Sequence, residues 1–157
     1  MSIAVDQTRL RRIVEALRVG ETLDRAGALT ILEIAQLAAG VGPEDDPAEH
    51  ATLQAIAQHV GSLVGTKPGE LLAIPQLPDE DARAGHLALL ASQLHTRAAR
   101  ELAYAIAFLV SVADLQLTPA ETAALEEFQR ALGIDDRRAT DLVVLVSEIV
   151  AAGDSAA

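Results

Sequence analysis

The sequence contains no cysteine and no tryptophan, and Tyr104, Phe108 and Phe128 are its whole aromatic complement. Without cysteine there are no disulfides, thiolate nucleophiles, Cys-ligated zinc sites or iron–sulfur clusters. So few aromatics leave no stacking platform for single-stranded bases, and few of the residues that favour strands. Positive charge is also short. Lys and Arg number 12 against 23 Asp and Glu, for a net charge of −11, and Lys67 is the only lysine. That excess repels phosphate backbones and anionic headgroups, so neither nucleic-acid binding nor electrostatic docking on membranes is expected. The most apolar stretch, Leu102 to Ala113, is well below the ~20 residues of a membrane-spanning helix. Met1 to Asp6 show no basic segment followed by an apolar run, so the expectation is a cytoplasmic protein with no secretory signal.

What remains is abundant Ala, Leu, Glu and Arg, all strong helix formers, in a chain of 157 residues that suits one domain. Leu10, Ile13, Val14 and Leu17 recur at the spacing that lines one helix face. Leu53, Ile56, Ala57 and Val60 repeat it, as do Leu87, Leu90, Ala91 and Leu94, and Leu142, Leu145, Val146 and Ile149. Ile31 to Val41 and Leu102 to Ala113 are apolar nearly all round, which suits helices covered on most sides. No run alternates with period two for long. An all-α fold is predicted, a single-domain bundle of about seven helices.

The helices repeat. Pro47-Ala48-Glu49 returns as Pro119-Ala120-Glu121, at an offset of 119 − 47 = 72. The same offset pairs Ile34 with Ile106, Leu37 with Leu109, Ile56 with Phe128 and Gly61 with Gly133. The first helices correspond at 87 − 10 = 77, pairing Leu10 with Leu87, Ile13 with Leu90 and Leu17 with Leu94. Two copies are therefore expected, one over about 6–64 and one over about 79–152, joined by a connector at 65–78 that contains Pro68, Pro75 and Pro78. Each copy has an apolar face that it cannot cover alone, so the two should pack about a pseudo-twofold axis. Chance likeness between Ala-rich helices is the competing account. The tail, Ala152 to Ala157, is expected to fray.

The loop ahead of each repeated Pro-Ala-Glu has the most chemical character. Thr118 stands at an N-cap position, Pro119 at the first helical position and Glu121 three places after the cap, which makes a capping box. Asp46, Pro47 and Glu49 form the same arrangement in the first copy. Capping explains Glu49 and Glu121 without a ligand, but it does not explain Asp114. That residue ends a buried helix, where the macrodipole disfavours an acid. A hard cation such as Ca²⁺ would favour it, drawing oxygens from Asp114, Glu121 and loop carbonyls. Asp45, Asp46 and Glu49 make a second acidic group. Both accounts stay open from the residues alone.

The stretch Ala113-Asp114 … Thr118-Pro119-Ala120-Glu121, followed by Leu125, Phe128, Leu132 and Gly133, resembles the signature of TerB-like proteins, named for the TerB component of tellurite-resistance systems. The resemblance implies an all-helical, internally duplicated fold. It further implies a non-catalytic cytoplasmic domain that binds divalent cations through acidic clusters and works with partner proteins in stress-response complexes. Asp114 and Glu121 match the second acidic pair and Glu49 the first. Leu115 stands where the family has Gly, Thr118 where it often has Asp, and Gly42 where the first copy would have Asp.

Other motifs are weaker. His50, His59, His86 and His95 include no pair at i, i+4, so a zincin-type site is not expected, and His86 and His95 read as partly exposed surface residues. Gly61 to Lys67 lacks both the spacing and the preceding strand of a phosphate loop. Ser111, inside a buried helix, should bond a carbonyl one turn back. Two functions follow as expectations. One is a TerB-like domain binding a calcium-like cation, protein partners or both. The alternative is an acidic helical interaction module with no metal site, steered by charge towards a basic partner. Neither is an enzyme, and self-association is compatible with both.

Overall fold

A computed structural model describes residues 7–17, 25–39, 54–56, 58, 80–111 and 119–155. Among them are six helices and no strand: α1 (Gln7–Leu17), α2 (Arg25–Ala39), α3 (Glu80–Ser92), α4 (Arg97–Ser111), α5 (Pro119–Ala131) and α6 (Asp136–Ser155). Residues 54–56 and 58 are also helical. The fold is all-α, and its helices share one apolar core.

Each helix follows from its sequence. On α1, Ile13, Val14 and Leu17 are buried while Arg11, Arg12, Glu15 and Ala16 are exposed, an apolar stripe with a solvated back. On α4 every residue from Glu101 to Ser111 is buried, as the all-round apolar run predicts. Ser111 inside it donates its hydroxyl to the Ala107 carbonyl at 2.9 Å, the expected bond one turn back. Pro119 occupies the first position of α5, where its missing N–H costs nothing. Glu121, Ala124, Leu125 and Phe128 then make up the buried stripe of that helix, and Leu132 extends it into the turn that follows.

The packing centres on α2 and α4, which make the most extensive contact among the described helices. Around them the arrangement is crosswise: α1 lies on α4, and α3 lies on α2. α5 touches α2, α3 and α4, while α6 covers α1 and α4. Helices α2 and α4 have the same length, 15 residues, and both begin on an arginine, at the repeat offset of 97 − 25 = 72. Ile13, Val14 and Leu17 are buried like their counterparts Leu90, Ala91 and Leu94, and Ile56 is buried like Phe128.

Two stretches differ from expectation. The face read as Leu87 to Leu94 does not stay in one helix: α3 stops at Ser92, and Leu94 is carried by the turn that follows, still only 1% exposed. Gln93 N–H and Leu94 N–H close that turn on the Leu90 and Ala91 carbonyls, the tighter bonding common at helix ends. The tail expected to fray from Ala152 is helical as far as Ser155. No described helix is long and apolar enough to cross a membrane.

Candidate functional site

Of the acidic residues expected to form cation sites, Asp114, Asp45, Asp46 and Glu49 lie outside the described residues, as does the Thr118 cap. Glu121 is described. It sits in the first turn of α5, as the capping box predicts, and is fully buried on that helix's core-facing stripe. Among the described residues, no group of three or more His, Cys, Asp or Glu side chains could hold a metal ion. His95 is exposed, and His86 is half-buried with its Nε2 3.0 Å from Glu33 Oε2, a contact that ties α3 to α2. His50 and His59 lie outside the described residues.

The structure brings together a different set of charges. Glu101, in the second turn of α4, is only 6% exposed although it carries a carboxylate. Arg138, in the first turn of α6, clamps it side-on: Nε donates to Oε2 at 2.8 Å and Nη2 to Oε1 at 2.8 Å. Arg97, one turn earlier on α4, adds a third bond from Nε to Oε2 at 3.1 Å. The hydrogen bonds from Arg138 hold the Glu101 carboxyl below its ordinary range and outweigh the opposing effect of burial. The same bonds push the Arg138 guanidinium further up, so both partners stay charged.

Local structure fixes every member of this set. Thr96 caps α4 by accepting the Ala99 N–H on its hydroxyl at 3.1 Å, which sets where Arg97, Arg100 and Glu101 emerge. Arg100 Nε reaches back to the Leu94 carbonyl at 2.9 Å and braces the turn. On the other side α5 ends in a Schellman motif. Gly133 adopts a φ of 69°. Its N–H bonds the Arg130 carbonyl, and the Ile134 N–H bonds the Gln129 carbonyl. Asp135 then caps α6, its Oδ1 accepting the Arg138 N–H at 2.7 Å. Arg138 thus has its backbone held by a cap and its side chain held by a buried carboxylate.

Between these elements lies a cleft of about 370 Å³, lined by Arg97, Arg100, Glu101, Asp135 and Arg138 together with the turn Leu132–Ile134. Sequence reasoning missed it. Arg97 and Glu101 do stand at the i, i+4 spacing of a helical ion pair, and Glu101 directly precedes the apolar run that begins at Leu102. The third member, Arg138, is 37 residues further on and on another helix, so nothing local announces it.

No protein-family model, curated protein or solved structure matches the chain.

Proposed function

We propose that the chain is a non-enzymatic TerB-like domain: two helical repeats packed about a pseudo-twofold axis, acting through partner proteins in a cytoplasmic stress response. In this reading a divalent, calcium-like cation binds at the interhelical acids, Asp114 with Glu121 in one repeat and Asp45, Asp46 and Glu49 in the other. The observation that carries the proposal is the crosswise exchange, in which the first helix of each repeat lies on the second helix of the other around the α2–α4 seam. Such reciprocity is what a duplicated, self-complementary unit requires.

The alternative is an acidic interaction module with no metal. Glu121 is fully buried on the core stripe of α5, a place that suits a capping carboxylate as well as a ligand. Thermal melts of the full chain in EDTA and in calcium, magnesium or manganese separate the two. A site filled at a hundred times its Kd adds about 2.7 kcal/mol, and Asp114→Asn should abolish that increment. If no divalent ion moves the melting temperature, the cation half of the proposal fails. Binding of a basic partner that weakens steeply with salt would then support the module.

A further inference from the structure

The cleft between α4 and α6 holds more positive charge than its structural task needs. Glu101 is satisfied by the side-on fork of Arg138. The Arg97 side chain that adds a third bond is 78% exposed, a setting in which an ion pair contributes little. Three guanidinium groups face two carboxylates across the lining, on a chain of net charge −11, with Asp141 also acting on Arg138. The bonds described above use Nε of Arg97, Nε of Arg100, and Nε and Nη2 of Arg138. The Nη groups of Arg97 and Arg100 and Nη1 of Arg138 take no part in them.

The fold itself does not demand this set. At the repeat offset, Arg25, Ala28, Leu29 and Leu63 of the first copy, and Thr66 at the start of the connector, stand where the second copy has Arg97, Arg100, Glu101, Asp135 and Arg138. Gly133 adds room. A Cβ built there would lie 4.0 Å from Arg100 Nη1, so its absence leaves bare backbone beside that guanidinium. The cleft, at about 370 Å³, falls at the small end of the range for ligand pockets.

We propose that this cleft binds a phosphate group, as the free anion or as a small phosphate monoester, with Arg97 and Arg100 as its principal ligands. Glu101 is a positioning residue that holds the fork of Arg138 and the Nε of Arg97. Guanidinium groups from three positions match a tetrahedral oxyanion, which offers several acceptor oxygens, better than a planar carboxylate with two.

The test is calorimetric titration of the full chain in EDTA with inorganic phosphate and, separately, with phenyl phosphate, against sodium chloride of matched ionic strength. Saturable binding of either phosphate by the wild type is expected, and the stronger of the two identifies free anion or monoester as the ligand. Arg97→Gln/Arg100→Gln, checked for folding by circular dichroism, should weaken it roughly tenfold or more, since each arginine offers charge-assisted bonds. If the double variant does not fold, Arg97→Gln alone carries the test, because that side chain is largely exposed. Absence of saturable binding in the wild type, or equal binding in the folded variant, overturns the proposal.

Discussion

Helices α2 and α4 share a length, an initial arginine and a common seam at the middle of the molecule, yet they handle their second turn differently. Where α2 places the half-buried Leu29 against the core, α4 places Glu101 and surrounds it with arginine. Burying a carboxylate is costly unless its bonds are made, and a well-paired ion cluster roughly breaks even with apolar packing. Leu29 and Glu101 thus fill the same turn of two central helices in two ways, one by apolar packing and one by paired charge.

That contrast can be broken at its strongest point, the seam itself. Ile34 and Ile106 occupy equivalent positions and are 0% and 2% exposed. Ile34→Ala and Ile106→Ala should each cost about 2–5 kcal/mol in urea unfolding, and the two losses should lie within about 1 kcal/mol of each other. A large loss at one and a small loss at the other would mean that the repeats are not equivalent in the core.

The charged corner gives the next largest effect. Arg138→Ala leaves a buried carboxylate with only the exposed Arg97 and should cost about 2–4 kcal/mol. That figure is already reduced for solvent screening, because the Arg138 side chain is 34% exposed. Substituting the residues found 72 positions earlier, Glu101→Leu with Arg138→Thr, should bring stability back to within about 1 kcal/mol of wild type. Acid sharpens this comparison. The Glu101 carboxyl is held below its ordinary 4.5. Its contribution is therefore present above that pH and is lost as pH falls through the depressed folded value. The double variant should lose less stability than wild type on acidification below pH 4.5, measured by urea midpoints along the pH series.

The smallest effects concern the turns that aim these side chains. Gly133→Ala should cost about 1 kcal/mol through its left-handed backbone alone, since the new methyl would meet Arg100 at an ordinary 4.0 Å. Thr96 and Asp135 each accept a backbone N–H at the start of a helix. Thr96→Ala and Asp135→Ala should each cost about 1 kcal/mol as lost caps. Thermal melts of the three variants check these values. A much larger loss at Asp135 would show that the cap also sustains the Arg138 fork.

The helical class was legible because apolar spacing is a local signal: Ile13, Val14 and Leu17, or Leu142 and Val146, announce their buried face within a single turn or two. The Ser111 bond was legible for the same reason. Glu101 was not, since an acid at the edge of an apolar run gives no sign of its burial until Arg138 arrives from another helix. The break after Ser92 escaped because Leu87, Leu90, Ala91 and Leu94 keep one face buried across the change from helix to turn. The acidic corners were conspicuous in composition, but clustering along a sequence does not fix where oxygens converge, and of the proposed ligands only Glu121 falls among the described residues.

The crosswise seating of α1 on α4 and α3 on α2 has an evolutionary and engineering corollary. Were the segment between the halves too short to span, α1 of one molecule would find α4 of another. Identical contacts would then assemble a domain-swapped dimer, with no new surface invented.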